Sequence, residues 1–150
     1  MSIRTDDVAL LFARIAIAAL FLPSGLAKLS NLGGFTAMLA AKGMPVPDLL
    51  AVLAVAAEIL APAAVILGVA PRVSALALIV FTLAASLISH SFWTFTDPAQ
   101  ASQQQIQFLK NMAVVGGLLF YYVSGPGAFS LSRFLGRSGN LPGSGTPARA

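Results

Sequence analysis

Asp48–Val69, DLLAVLAVAAEILAPAAVILGV, decides the fold. At a helical rise of ~1.5 Å per residue this stretch is about as long as a bilayer's hydrocarbon core is thick. It is almost wholly apolar and carries one ionisable side chain, Glu58, near its middle. A carboxylate in hydrocarbon is costly, so Glu58 must face protein or water and must have a partner. Pro62 follows four residues later. Proline has no N–H, so in a continuous helix the carbonyl of Glu58 loses its usual donor. Side chain and backbone thus present polar groups at one depth.

The whole chain fits this reading. Of its 150 residues, 57% are hydrophobic and only 9% are charged, against about 25% in a typical soluble domain. There is no cysteine and one histidine. Thiol chemistry is excluded, and no metal site is expected. The formal net charge is +4. Nine cations spread along spans and loops form no nucleic-acid patch, and they read instead as topology signals.

Three further spans surround the first. Span one covers 8–29 behind Asp6 and Asp7, with Arg14 and Pro23 inside it and Lys28 at its end. Gly25 and Ala27 also fit a signal-peptide cleavage site. Asp6 and Asp7 offset the basic start, and Arg14 breaks the apolar run, so the span is expected to be retained. Residues 31–47 are too short to cross. Phe35, Met38 and Leu39 share a helical face there, and Gly43 suits a C-cap, which predicts a short interfacial helix. Asp48 is expected to cap span two, 49–69. Span three covers 72–95 and ends at His90, Phe92, Trp93 and Phe95. Thr96-Asp97-Pro98 opens a helix that starts wet with glutamines and becomes span four at 106–123, carrying Lys110 and Asn111. Ala113 with Gly117, and Ala57 with Ala61, suit close helix contacts. Ser124–Phe134 reads as an exit turn, and the Gly-, Ser- and Pro-rich residues 136–150 as a disordered tail.

The expected fold is therefore all-α: one membrane domain, 1–135, a four-helix bundle with an interfacial helix between spans one and two. Arginines gather on the side of both termini, which favours N-in, C-in. Depth along the spans suggests a buried Arg14–Glu58 ion pair, either a structural lock or a proton-accepting or polar-head-binding site. A second, outer layer holds Lys28, His90, Lys110 and Asn111. These donors suit the carbonyls of a quinone or a small anion, and His90 can exchange a proton near neutral pH. The plain alternatives are snorkelling for Lys28 and an interfacial hydrogen bond for His90.

Several short pieces share one order and spacing: Arg14-Ile15, Phe21, Ser24-Gly25-Leu26-Ala27-Lys28-Leu29, Ala57-Glu58, Leu67-Gly68 before Arg72, His90, Phe108-Leu109-Lys110-Asn111, Gly116-Gly117, Gly125-Pro126-Gly127 and Ser130-Leu131. In these the chain resembles the DoxX family over residues 11–131. Such proteins often follow the Ser-Leu pair with aspartate, where this chain has Ser132. The resemblance implies a bacterial inner-membrane protein, linked to quinone-coupled oxidoreductase systems and to oxidative-stress complexes with partner proteins. Without thiols or a haem-ligand pair the chain would be an accessory subunit, with quinone as the implied cofactor and electrons supplied by a redox partner. Whether it catalyses anything itself stays open. Two other readings stand beside this one. Glu58 with the prolines in spans one and two suits a small-molecule or proton-coupled transporter, as a homo-oligomer. An Arg14–Glu58 lock alone suits a non-catalytic scaffold.

Overall fold

The computed structural model describes residues 5–138. Its elements are α1 (Thr5–Ser30), α2 (Leu32–Ala41), α3 (Pro47–Leu67), α4 (Pro71–Ser89), a 3-10 turn at Phe92–Thr94, α5 (Pro98–Ser124) and α6 (Leu131–Ser138). Four helices, α1, α3, α4 and α5, are long and apolar enough to cross a membrane. The all-α bundle with a short helix between its first two spans is thus observed. The expected tail at 136–150 lies, beyond the last turn of α6, outside the described residues.

Local chemistry sets the helix ends. Asp97 caps α5 by accepting from the Ala99 amide at 3.1 Å, with Pro98 at the first helical position. Asn31 caps α2 through Gly34. Asp48 does not cap α3. Val46 holds that position in the left-handed region, φ 44°, ahead of Pro47, and Asp48 falls in the first turn. Ala70 repeats the arrangement, φ 42°, ahead of Pro71. Left-handed backbone costs a non-glycine residue about 1–3 kcal/mol, so the packing must hold both turns in place. The helix of span three stops at Ser89, and the aromatic residues beyond it form the 3-10 turn. Residues 131–138, read from sequence as part of an exit turn and the start of a tail, form the short helix α6.

Helix α3 is the centre of the bundle, packed on α1 and on α4, while α5 packs on α4. The apolar core joins all four spans through Phe21, Ala61, Val65, Ala75, Leu78, Ile79, Leu118 and Tyr121. Large apolar side chains such as Phe12, Leu60, Val73, Phe120 and Val123 point outward. This is the inside-out pattern of a lipid-solvated surface, where close packing and polar bonds replace the hydrophobic effect between helices.

Helices α1 and α3 come into close contact at Gly25. A Cβ there would lie 2.9 Å from Glu58 Cβ and 3.1 Å from the Glu58 carbonyl carbon. This contact fixes the register: Gly25 and Glu58 share one height. Gly25→Ala is expected to push α1 off α3 and destabilise the bundle by about 1–3 kcal/mol. Unfolding in mixed micelles measures this, and a midpoint equal to wild type would contradict the register. Of the expected small-residue pairs, Gly117 does face α1, where an added Cβ would lie 4.0 Å from Ile17 Cδ1, while Ala113 is exposed.

Candidate functional site

The register set by Gly25 decides which charges meet. Ser24 and Lys28 lie one turn apart on α1, on either side of the glycine contact. Glu58 therefore faces both. Lys28 Nζ donates to Glu58 Oε2 at 2.6 Å and Oε1 at 2.8 Å. Lys28 also donates to Ser24 Oγ at 2.7 Å, and Ser24 Oγ donates to Glu58 Oε1 at 3.0 Å. The ion pair is uneven in burial. The Glu58 side chain is 5% exposed and the Lys28 side chain 26%. Lys28 Nζ also sits 5.4 Å from the ring centroid of Phe35 on α2, a cation–π contact. The carboxylate is thus desolvated but matched, and its cation reaches the surface beneath an aromatic plate.

The expected Arg14–Glu58 pair is not formed. Arg14 lies eleven residues before Gly25 on α1, and so about 16 Å lower at the helical rise of 1.5 Å per residue. No side chain spans that. Arg14 is instead buried, 1% exposed, among backbone carbonyls. Its Nε donates to Val65 O at 2.9 Å, and Nη1 donates to Pro126 O at 2.6 Å and Phe129 O at 2.7 Å. Nη2 donates to Ile66 O. Val65 and Ile66 belong to the last turn of α3, where carbonyls lack full helical pairing and the helix dipole is negative; Val65 O also accepts from the Gly68 amide at 3.1 Å. A planar five-donor fork suits this cradle, and the cation needs no carboxylate.

That cradle pins the 125–130 loop under the bundle. Asp7 Oδ1 accepts from the Ala128 amide at 2.7 Å. Ser132 Oγ donates to Gly68 O at 2.7 Å, so the serine at this position still makes a polar contact. Gly68 is left-handed, φ 66°, and a Cβ there would lie 2.5 Å from Ser130 Cβ. Only glycine fits both demands.

The remaining residues of the outer layer have separate partners. Nδ1 of His90 is 2.8 Å from Gln104 Oε1. An amide oxygen only accepts, so Nδ1 donates to it. Asn111 Nδ2 donates to Ser86 Oγ at 2.9 Å, and Ser86 in turn donates to Thr82 O at 2.6 Å. Lys110 is exposed and has no hydrogen bond or ion pair among the described residues. From the Ile17–Gly117 contact, seven residues along α1 reach Ser24 and seven back along α5 reach Lys110. The two antiparallel positions are therefore level. Lys28, Glu58, Ser24, Lys110 and Asn111 share a layer, but hydrogen bonds join only the first three of the five to one another. Trp93 packs edge-on to Phe92 and Phe108 above this layer, as interfacial aromatics do.

The DoxX family's own sequence pattern matches residues 9–91. The chain belongs to the DoxX family. It is 36% identical to the inner membrane protein YphA of Escherichia coli (strain K12) over 126 residues, covering 84% of this chain and 89% of that protein. It is 31% identical to the inner membrane protein YqjF of the same organism over 134 residues, covering 89% and 97%. No solved structure matches it. This DoxX protein is therefore a multi-pass inner-membrane protein.

Sequence reasoning found that Glu58 and Arg14 are buried but missed their partners. Ser24 and Ser86 were also missed as participants. The signal for Ser24 was its position one turn before Lys28. Backbone carbonyls as the Arg14 ligands leave no signal in side-chain identity.

Proposed function

We propose that this DoxX protein is a quinone-interacting accessory subunit of a membrane redox system. The head-group site is the exposed edge of the Ser24–Lys28–Glu58 triad. The observation that carries this reading is a lysine at membrane depth, bound to a buried carboxylate, a quarter exposed, and lying against the ring of Phe35. A quinone head group is flat and apolar with carbonyl acceptors. An aromatic plate beside an ammonium donor matches it. Lys28 donates a hydrogen bond to a carbonyl oxygen, and Glu58, through Ser24, takes up or returns a proton at that edge. Reduction of a quinone consumes two electrons and two protons. The electrons come from a partner's cofactor, since the chain has no thiol and a single histidine.

Trp93, the one tryptophan, reports on the outer layer. A short-chain quinone titrated into the protein in nanodiscs is expected to quench it saturably, and Lys28→Met is expected to weaken that binding about tenfold, the loss of one charged hydrogen bond. Linear quenching, identical in both proteins, counts against the site.

One observation favours a second reading. Every buried charge of the spans already has an internal partner. A scaffold that only stabilises partner proteins would need no more than that. It predicts that any variant that restores folding also restores cellular function.

A further inference from the structure

We infer that the end of the bundle carrying α6 holds a specific site for the phosphodiester head group of an anionic phospholipid. A shallow concavity of about 420 Å³ opens there, lined by Ser124, Pro126, Gly127, Ser130, Ser132 and Arg133. It is built on the loop that Arg14 pins, so its floor is held by part-buried hydrogen bonds. Arg133 is exposed and has no ion pair or hydrogen bond among the described residues. Asp7 contacts the same loop but spends Oδ1 on the Ala128 amide and does not line the concavity. The charge offered to a ligand is therefore positive.

The surroundings say what kind of ligand. Val123 and Phe129, each next in the chain to a lining residue, are exposed at 82% and 38%. Phe120, one turn deeper on α5, is 80% exposed. Such a rim is stable only against acyl chains, which places the concavity at the level of lipid head groups. The Arg133 guanidinium gives a fork for phosphate oxygens, while the hydroxyls of Ser124, Ser130 and Ser132 donate to the Gly125, Gly127 and Gly68 carbonyls and shape the concavity rather than bind. Arg72 caps the same end of the bundle but sits 5.9 Å from the ring of Tyr122 and outside the concavity. It supplies a built-in comparison. This site lies at the opposite end of the spans from the Lys28–Glu58 layer, and it stands whether or not that layer binds a quinone.

Native mass spectrometry of the full chain tests the assignment, with phosphatidylglycerol and phosphatidylcholine titrated into the detergent-purified protein. The expected result is retention of phosphatidylglycerol about tenfold over phosphatidylcholine, the effect of one charged bidentate contact. Arg133→Gln, an exposed position, removes the preference, and Arg72→Gln keeps it. Equal loss in both variants would reduce the site to diffuse rim charge and overturn it. Displacement of the lipid by an equal concentration of glycerol phosphate would assign the site to soluble phosphates and overturn the lipid claim. No preference in wild type would do the same.

Discussion

Replacing Arg14 with methionine is expected to cost this protein more stability than any other single change on α1. Four carbonyls lose the guanidinium at once, two at the end of α3 and two in the 125–130 loop, and of these Val65 O alone keeps a second donor, the Gly68 amide at 3.1 Å. Leaving buried polar groups unpaired costs about 1–3 kcal/mol each, and in a membrane no bulk water reaches in to replace the lost donor. The groups share one donor and relax together, so the total is expected near 3–5 kcal/mol, as for other broken buried charge networks. Lysine should recover less than half. It is a point charge with three donors, and it cannot reach carbonyls on both α3 and the loop as a fork does. Unfolding midpoints in mixed micelles measure both variants. An Arg14→Met protein as stable as wild type would mean the loop is held by something other than this cradle.

The second large effect separates the two candidate pairings. Lys28→Met leaves Glu58 buried beside Ser24 alone, and Glu58→Leu leaves Lys28 without a counter-ion. Each is expected to cost about 3–5 kcal/mol, scaled down for the lysine's partial exposure. Exchanging the charges, Lys28→Glu with Glu58→Lys, should restore most of the loss, because the two side chains touch at 2.6 Å. The exchange Arg14→Glu with Glu58→Arg should restore nothing, and should be worse than either single change. Arg14 lies about 16 Å away in height by the helical rise, and a glutamate at its place would face four carbonyls. Recovery by the Arg14 exchange, or none by the Lys28 exchange, would reverse the assignment.

Much of this architecture was legible because it follows from composition and punctuation. Glu58 in an apolar stretch had to be buried and matched. Asp97-Pro98 had to start a helix, and the short 31–47 segment could not cross. Register was not legible. Depth counted along each span separately placed Arg14 and Glu58 within reach, but the height of one helix against another is set by a single contact, Gly25 on Glu58. A glycine in a span announces close approach without naming what approaches. The fate of Arg14 was hidden for a different reason. Its ligands are backbone carbonyls, which every residue has, so nothing in the identities of Val65, Ile66, Pro126 or Phe129 marks them. Lys28 could be read as snorkelling outward because its position near a helix end permits that. It turns to the carboxylate because a matched pair removes more desolvation cost than contact with head groups does.

The claim at the centre is that the Lys28–Glu58 layer binds a quinone head group. The direct measurement is the quinone-to-protein ratio, by mass spectrometry of organic extracts, in wild type and in the charge-exchanged Lys28→Glu, Glu58→Lys protein, with an unrelated membrane protein of similar size as reference. The prediction is near-stoichiometric quinone in wild type and reference-level quinone in the exchanged protein, although that protein folds. Reference-level quinone in both, or equal enrichment in both, would contradict it and leave the pair as a structural lock.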